Sequence, residues 1–398
     1  MSAYIYNIEF MRIAIIACGY PSKEEPQFGC FEKDQALALK KAGHEVSIIY
    51  VDGRFRRFKR KVGITHFVEN EINVYGIYLY PGAITAHLNR RLHYWLVERM
   101  LDWVFAYMLR KQQKPDIIYA HFFWNISYAA VLKKKYGIPL VGMEHWSKLN
   151  DQILPKYLMI RGKKGYSAAD QILAVSESLR EQIYRHFRKE AIVVHNMIGE
   201  EFFNQSLHIR NSKGKCSMVA VGSLIHRKGF DVLISALYEV EKKYSAWELR
   251  IIGGGVEEDN LKKQIAKCNL ENKVKLVGRK NKQEIISILQ ESDLFVFPSR
   301  AENFSVAVLE ALSAGLPVVA TLCGGIRECI DEKNGLLVPV ENVDALANAI
   351  VSICKNIDCY DKKAIADDCK QQFAPSVIAK QLTDICEEVV ASYSLKSQ

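Results

Sequence analysis

The chain has 398 residues, which is more than one hydrophobic core usually supports and predicts two domains of about 200 residues each. Hydrophobic residues make up 49% and charged residues 25% of the sequence, which excludes disordered, collagen-like and coiled-coil classes. The formal net charge is +9, and the excess lies in residues 1–200, where 29 Lys and Arg accompany 19 Asp and Glu. This asymmetry predicts that the N-terminal half meets an anionic partner or surface.

The targeting and cysteine patterns are those of an ordinary intracellular chain. No run of 18 apolar residues occurs, and the apolar stretch 1–18 contains Glu9 and Arg12 and ends without a small-residue cleavage site. We therefore expect a cytoplasmic protein. The ten cysteines form neither a C-x-x-C nor a Cys/His cluster at zinc spacing, which predicts reduced, mostly buried thiols.

From Met11 onward, short apolar runs rich in β-branched residues alternate with segments of helical period. The strands predicted in the first half are 12–18, 45–51, 72–80, 116–121, 139–143, 171–175 and 191–195. A helix is predicted over EKDQALALKKAG (32–43), with Gly43 at its C-terminus, and most of the other long gaps can hold one. Apolar strands joined by helical crossovers predict a parallel sheet covered on both faces.

Around residues 197–215 the chain becomes polar and loses its period, as a linker does. Strand and helix patterns then resume, with strands predicted at 216–224, 247–255, 273–278, 293–299 and 316–321. The expected fold is α/β, with two Rossmann-like, doubly wound parallel-sheet domains facing across a cleft that holds the substrate. Their expected bounds are 1–200 and 201–375, followed by a helix over 376–398 that packs back on the N-terminal domain.

The segment RAENFSVAVLEALSAGLPVVA (300–320) follows a predicted strand and contains a short helix. Asn303 is expected to cap this helix, which Gly315 and Pro317 end. Amides at a helix start lack intrahelical acceptors and carry the positive end of the dipole, which makes them an anion site. Here those amides are expected to be Phe304, Ser305 and Val306.

Two glutamates flank this expected anion site. Glu302 precedes the helix and Glu310 lies within it. One carboxylate can accept hydrogen bonds from a sugar beyond the phosphates, and the other from a ribose behind them. The alternative is that Glu302 is a solvated loop charge and that Glu310 caps nothing, but the pairing of the two around one anion site favours ligand binding.

The same segment resembles the E-x7-E motif of family 4 retaining glycosyltransferases. The matching residues are Glu302, Phe304, Glu310, Ala311, Gly315, Pro317, Val318, Val319 and Ala320. Ser305 stands where a glycine is usual and Ser313 where an alanine is usual, both small-for-small changes. The resemblance covers most of the chain and implies the GT-B architecture, with the acceptor bound by the first domain and the nucleotide-sugar donor by the second. It also implies attack from the face of the departing diphosphate, with Glu302 positioning the sugar.

The stretch GSLIHRKGFDVLISAL (222–237) carries a second part of the resemblance. In the family, a Gly-Arg and a Lys-Gly place two cations on the donor diphosphate. Here Gly222 is followed by Ser223 in place of Arg, which is a departure. The resemblance carries the diphosphate role to Lys228 and Arg227, whose charges would offset the charge that grows on the departing nucleoside diphosphate. The alternative is a solvated basic turn.

Three further positions are implied by the resemblance. KLVGRKNKQEI (275–285) is similar to the segment that lines the nucleobase pocket, with contacts expected from the backbone at Gly278 and Arg279. Gly29, in the loop after the first strand, matches a glycine that lets the backbone approach the diphosphate or the acceptor. Asn196 aligns with an Asn-Gly turn before the linker.

His145 follows the predicted strand 139–143 and resembles the family histidine near the anomeric carbon, where it could hydrogen-bond a sugar hydroxyl. The alternative is a satisfied structural histidine. Neither metal nor cofactor is expected, because the helix dipole and basic side chains neutralise the diphosphate and no D-x-D occurs to hold a divalent ion.

Two basic stretches account for much of the charge of the first half. GRFRRFKRKVG (53–63) carries six basic residues in eight positions, interleaved with Phe, and 88–114 is a long aromatic helical pattern with cations at both ends. Both predict docking on an anionic bilayer, peripherally on the cytoplasmic face of the inner membrane. The alternatives are a solvated loop for 53–63 and a core helix for 88–114. Nucleic acid is a third interpretation, but no nucleic-acid module is recognisable.

The sequence therefore predicts a retaining, metal-independent hexosyl- or N-acetylhexosaminyltransferase. It would move sugar from a nucleotide-diphosphate sugar, such as a UDP- or GDP-sugar, to a lipid-linked saccharide in bacterial surface polysaccharide assembly. The alternatives are a sugar-nucleotide epimerase on the same scaffold and a non-catalytic sugar-nucleotide-binding or membrane-binding protein.

Overall fold

The structure is a computed structural model that describes residues 10–25, 28–54, 62–78, 89–205 and 214–396. The chain divides into two compact units, one formed by Met1–Val194 with Pro375–Gln398 and the other by His195–Ala374. The chain thus leaves the first unit after Val194 and returns to it at Pro375, whereas the sequence places the boundaries at 200 and 375.

The first unit is built on an eight-stranded sheet in the order β3-β4-β2-β1-β5-β6-β7-β8. Its strands are β1 (Arg12–Ala17), β2 (Glu45–Asp52), β3 (Gly63–Glu69), β4 (Ile72–Tyr78), β5 (Ile117–His121), β6 (Leu140–Glu144), β7 (Gln171–Ala174) and β8 (Ile192–Val193). All neighbours pair in parallel except β3, which runs antiparallel to β4 at the edge. The central strands are buried on both faces, which explains their continuous apolar sequences.

Strand β3 was not predicted, because its sequence GITHFVE lacks an apolar run. As an edge strand it leaves most of its side chains partly or fully exposed, so burial imposes little on its composition.

The helices of the first unit are α1 (Cys30–Lys41), α2 (Arg90–Leu109), α3 (Phe122–Tyr136), α4 (Lys156–Ala168), α5 (Glu177–Phe187) and α12 (Pro375–Lys396). The helix predicted over 32–43 is confirmed as α1, and Gly43 follows it with φ +102°. The C-terminal helix α12 belongs to this unit and packs against α1. A hydrogen bond of 2.8 Å joins His44 Nε2 to Thr383 Oγ1 of α12.

Helix α2 occupies most of the basic aromatic segment 88–114. Its Asn89 cap accepts a hydrogen bond of 3.1 Å from the amide of Leu92. One face is buried, formed by Val97, Leu101, Val104, Phe105 and Met108. The core-helix interpretation therefore holds for that face, while Trp95 and Trp103 on the other side are 55% and 52% exposed. Residues 55–61, which carry most of the other basic stretch, lie outside the described residues.

The second unit is built on a six-stranded, fully parallel sheet in the order β11-β10-β9-β12-β13-β14. Its strands are β9 (Cys216–Val221), β10 (Trp247–Ile252), β11 (Val274–Leu276), β12 (Leu294–Phe297), β13 (Val318–Thr321) and β14 (Gly335–Val338). Its helices are α6 (Phe230–Lys243), α7 (Glu258–Lys267), α8 (Lys282–Gln290), α9 (Val306–Ser313), α10 (Val343–Lys355) and α11 (Lys362–Phe373). Strand β14 was not predicted, because its apolar run 336–338 is only three residues long, between Gly335 and Pro339.

The fold-class prediction is confirmed, since the structure is α/β with two doubly wound sheets. The prediction that most cysteines are buried is also confirmed, because six of the ten are buried, namely Cys216, Cys323, Cys329, Cys354, Cys369 and Cys386. Within the described ranges, none of the helices combines the length and the apolar character needed to cross a bilayer.

We expect the core of the second unit to be sensitive at Leu237 of α6, which is fully buried, and tolerant at its neighbour Tyr238, which is 44% exposed. Leu237→Ala should lower the free energy of unfolding by about 2–5 kcal/mol, through lost burial and the cavity left behind. Tyr238→Ala should change it by less than about 1 kcal/mol. Denaturant unfolding measures both, and equal losses in the two variants would contradict this packing.

Candidate functional site

The order of the second sheet brings two distant loops together. The chain passes from β9 to β10 and β11 on one side, then returns to place β12, β13 and β14 on the other side. Strands β9 and β12 are parallel neighbours at this reversal, so the loops at their carboxyl ends, 222–229 and 298–305, meet at one edge. This is the position at which open parallel sheets hold ligands.

Glu302 is the centre of the contacts between these loops. Its Oε1 accepts hydrogen bonds from Lys228 Nζ at 2.5 Å, from Arg227 Nη1 at 2.8 Å and from Ser299 Oγ at 3.1 Å. The side chains of Glu302 and Lys228 are 12% and 15% exposed, whereas Arg227 is 39% exposed. Two cations and one carboxylate thus share a half-buried cluster with a formal charge of +1.

The loop 222–229, called the basic loop, is joined to the loop 298–305, called the motif loop, by hydrogen bonds that involve backbone groups. Arg227 Nη1 donates to the carbonyl of Ala301 at 2.7 Å, and the amide of Arg300 donates to the carbonyl of Arg227 at 2.8 Å. Arg300 also makes a bidentate ion pair with Asp231, with N to O distances of 2.8 and 2.7 Å. Two charge-assisted hydrogen bonds fix a planar guanidinium, so Arg300 ties the start of α6 to the motif loop.

Glycines allow the close approach of the two loops. Gly229 has φ +69°, and a Cβ at this position would lie 2.0 Å from the carbonyl oxygen of Pro298. Gly222 lies beside Lys228, whose Cδ would be 3.5 Å from an added Cβ. Ser223, which stands where the family has Arg, is exposed.

The helix after Glu302 begins later than the sequence predicted. Asn303 was expected to be the N-cap, but Ser305 occupies that position and α9 begins at Val306. The side chain of Ser305 makes no capping hydrogen bond. The prediction of the N-cap is therefore wrong, and the amides of Val306, Ala307 and Val308 are the ones within α9 that have no intrahelical acceptor. Glu310 lies half-buried on the following turn.

Phe304 is held from three sides. His195 stacks on its ring at a centroid distance of 4.7 Å, and Phe373 packs at 5.7 Å. Asn196 Nδ2 donates to the carbonyl of Phe304 at 3.2 Å. His195 Nε2 in turn lies 2.9 Å from Glu328 Oε2. Asn196 thus has a definite role, which is to anchor the motif loop.

The expected base-lining segment lies at the end of β11. The carbonyl of Gly278, which has φ +73°, accepts a hydrogen bond of 3.0 Å from the amide of Gly253. Arg279 is exposed and its Nε would lie 3.1 Å from a Cβ added at Gly254. The structure therefore places Arg279 across the glycines that follow β10.

In the first unit, His145 follows β6 and is paired with a second histidine. His121 ends the neighbouring parallel strand β5, and its Nδ1 lies 3.1 Å from His145 Nε2. His121 is fully buried, and its Nε2 has no hydrogen-bond partner among the described residues. Burial, and then the neighbouring His145, lower the pKa of His121 well below its usual range, so His121 is neutral at physiological pH.

Glu144 fixes the loop that carries His145. Its Oε1 accepts hydrogen bonds from the amides of His145, Trp146 and Phe123 at 2.9, 2.8 and 3.3 Å. Its Oε2 accepts from the hydroxyl of Tyr166 at 2.5 Å. Burial raises the pKa of Glu144 to about 7 against the opposing effect of these four donors. The backbone at both strand ends is thus tied to one buried carboxyl group.

Gly29 permits a contact within the protein. It has φ +79°, and a Cβ there would lie 2.3 Å from the carbonyl oxygen of Gly19 in the loop after β1. The same loop is held by Glu32, whose Oε1 accepts from the amide of Cys18 at 3.0 Å.

The structure brings together the residues predicted for the second unit more closely than the sequence could show. Lys228 and Arg227 both donate hydrogen bonds to Glu302, and Phe304 and helix α9 follow Glu302 directly in the chain. Sequence reasoning missed the residues that position this group, namely Ser299, Arg300, Asp231, His195 and Phe373. Missed in the first unit were His121, Glu144 as an anchor, Tyr166 and Glu32. Only the position of His121, at the end of a predicted strand next to that of His145, could have revealed one of them.

We expect Glu144 to give the first unit a measurable pH dependence. Its folded pKa is raised from 4.5 to about 7, so its contribution to stability is present at low pH and is lost as the pH rises through 7. The change corresponds to roughly 3 kcal/mol between pH 4.5 and 7. In Glu144→Gln, a neutral amide of the same shape, this component should disappear.

Four of the five tryptophans lie in the first unit, so fluorescence-monitored denaturation at several pH values reports mainly on it. The buried histidines His44 and His121 have lowered pKa values, so their contribution to stability increases as the pH rises. Because wild type and Glu144→Gln both contain these histidines, the difference between the two proteins reports on Glu144. The same pH dependence in wild type and variant would show that Glu144 does not hold a proton in this range.

Comparison with known proteins places this geometry in a family. A sequence model described as "Glycosyl transferases group 1" matches residues 204–365, and one described as "Glycosyltransferase Family 4" matches residues 33–202. An uncharacterized glycosyltransferase of Haemophilus influenzae is 26% identical over 82% of this chain and 86% of its own length. An amylovoran biosynthesis glycosyltransferase of Erwinia amylovora is 33% identical over 43% of this chain and 44% of its own.

Solved structures show the same architecture. The structure of HepE from Anabaena, in complex with UDP and glucose, superimposes with a TM-score of 0.70 over 95% of this chain and all of that one, at 18% identity. Its fold is therefore shared. With family models matching both halves and two doubly wound sheets in the structure, the chain belongs to the family 4 type of glycosyltransferases and has the GT-B fold.

Proposed function

We propose that the protein transfers a hexosyl or N-acetylhexosaminyl group, with retention, from a nucleotide-diphosphate sugar to a saccharide acceptor. The observation that supports this most is the cluster of Lys228, Arg227 and Glu302 beside the start of α9. Two cations and free helix amides suit a diphosphate, and an adjacent carboxylate suits the hydroxyls of the attached sugar.

Each member of the cluster has a distinct task in this reaction. Lys228 and Arg227 bind the diphosphate and offset the charge that grows on it as the glycosidic bond breaks. Glu302 orients the sugar, and Glu310 binds the ribose. Since cations and helix dipole supply the neutralising charge, the transfer needs no metal ion. The backbone at Gly278 and Arg279 contacts the nucleobase, and that of Gly222, Ser223 and residues 303–306 lines the donor site.

We further propose that the first unit binds the acceptor. His145 hydrogen-bonds a sugar hydroxyl near the anomeric carbon, with its ring oriented by His121 and its backbone by Glu144. Gly29 shapes the adjoining loop. The similarity to an amylovoran biosynthesis glycosyltransferase supports bacterial surface polysaccharide assembly, in which the acceptor would be a lipid-linked saccharide. HepE, whose structure contains UDP, supports a nucleotide-sugar donor.

We expect Lys228→Ala and Glu302→Ala each to reduce transfer by at least about 100-fold, because each removes a charged group that contacts the reacting substrate. Lys243→Ala is the matched control, since Lys243 is an exposed lysine of α6 bonded to Asn348. Circular dichroism checks that the variants are folded. The assay follows radiolabelled sugar from UDP-, GDP- and ADP-sugars into a lipid extract. A Lys228 or Glu302 variant with near wild-type turnover would remove that residue from the site, and epimerised donor without transfer would indicate an epimerase.

The protein is also proposed to dock on the anionic cytoplasmic face of the inner membrane. The exposed side of α2 carries Trp95 and Trp103 with Arg99 between them, four residues from each. Helix α4 continues this surface with Tyr157 and Ile160. Arg90 of α2 lies over the ring of Tyr157 at 4.1 Å, which joins the two helices.

The charges on this surface favour an anionic partner. Arg91, Arg99, Lys156 and Lys163 are exposed and pair with no carboxylate among the described residues. The acidic residue at its centre, Glu98, is already paired with Arg161 at 2.8 Å and Lys164 at 2.7 Å. Interfacial tryptophans surrounded by cations suit the headgroup region of a bilayer, where each Lys or Arg adds about 1 kcal/mol.

We expect the double variant Trp95→Ser/Trp103→Ser to bind vesicles containing phosphatidylglycerol about tenfold more weakly than wild type, because it loses both interfacial anchors. Arg99→Glu should weaken binding and reduce its salt dependence. Tyr238→Ser and Lys243→Glu, exposed positions of the second unit, are the controls. Vesicle flotation measures the binding, and equal recovery of wild type and double variant would exclude this surface.

A further inference from the structure

We infer that Glu302 weakens the hold of the site on the departing nucleoside diphosphate and so controls product release. This inference rests on the proposed function of the same site. It differs from orienting the sugar, because it concerns a ligand that carries no sugar. It follows from the charges that lie around the two cations.

The two cations proposed to bind the diphosphate already have an anionic partner. Lys228 Nζ and Arg227 Nη1 lie 2.5 and 2.8 Å from the same oxygen, Oε1 of Glu302. Since Glu302 and Lys228 are mostly shielded from water, the charge of Glu302 is weakly screened. Any diphosphate held by these cations therefore also experiences repulsion from the carboxylate.

This repulsion acts unequally on donor and product. The diphosphate of a nucleotide sugar carries two negative charges, and the released nucleoside diphosphate carries about three near neutral pH. Because Coulomb energy scales with the charge of the ligand, the carboxylate destabilises the bound product more than the bound donor. A site with two unopposed cations would favour its own product.

Arg227 has partners other than Glu302 that keep it in position. Arg227 is also held by the carbonyl of Ala301 at 2.7 Å, and its own carbonyl accepts from Ser299 Oγ at 3.1 Å. A glutamine at position 302 can offer Lys228 and Arg227 the same acceptor oxygen. Glu302→Gln therefore removes the charge and keeps the hydrogen bonds.

The test is isothermal titration of wild type and Glu302→Gln with UDP, GDP, ADP and inorganic pyrophosphate. We expect the variant to bind pyrophosphate, and whichever nucleotide binds wild type, roughly tenfold more tightly and with a steeper salt dependence. Glu241→Gln is the matched control, because Glu241 lies in the same unit and also pairs with a lysine, Lys273, at 2.7 and 2.5 Å, but it lies near the C-terminal end of α6, whereas Arg227 and Lys228 precede the N-terminal end of that helix. Its affinities should equal those of wild type.

Unchanged or weaker pyrophosphate binding by Glu302→Gln would overturn the inference, as would an equal gain in Glu241→Gln. A failure to bind pyrophosphate in both wild type and Glu302→Gln would overturn it as well. The proposed function fails separately. If pyrophosphate shows the tenfold gain but no nucleotide binds and no sugar is transferred, then the charge effect stands and the donor assignment is wrong.

Discussion

Three donors converge on one oxygen of Glu302. This contact joins the loops at the carboxyl ends of β9 and β12, and the neighbouring parts of the second unit are arranged around it. Lys228 and Arg227 come from the loop after β9, and Ser299 from the loop after β12. Each loop alone would expose an uncompensated charge. Together they form a cluster whose single excess cation remains available to an anionic ligand. The glycine at 229 and the ion pair of Arg300 with Asp231 are the structural requirements of this one contact.

The sequence predicted the sheets well, because buried parallel strands are continuously apolar, and α1, α3 and α9 end at or next to a glycine. It failed at β3, where an edge position imposes no such composition. At the candidate site, it predicted Lys228, Arg227 and Glu302 through a resemblance, and the structure brings these three side chains into contact. It did not identify Arg300, His195 or Phe373, whose roles depend on contacts between residues far apart in the chain. The capping residue was misplaced because Asn303 and Ser305 are both good N-caps, and only the backbone path distinguishes them.

The motif loop is also tied to the two points where the chain passes between units. His195 is the first residue of the second unit, and Phe373 lies next to its last residue, Ala374. Both rings pack on Phe304, two residues after Glu302. Asn196 adds a hydrogen bond to the carbonyl of Phe304. A shift of the Phe304 ring would therefore disturb the chain near both ends of the second unit. This accounts for a large buried aromatic side chain at position 304.

The first unit also contains a buried carboxyl group with several hydrogen-bond donors, but none of these donors is a cation. Glu144 has four donors and no cation, so burial outweighs the hydrogen bonds and raises its pKa to about 7. Such a carboxyl group holds two strand ends together by hydrogen bonds to backbone amides, which are the same for any sequence in these loops. The backbone of His145 is therefore held by contacts that do not depend on the side chains next to it. Glu302, with two cations beside it, sets the net charge of its cluster, whereas Glu144 fixes the position of the backbone around it.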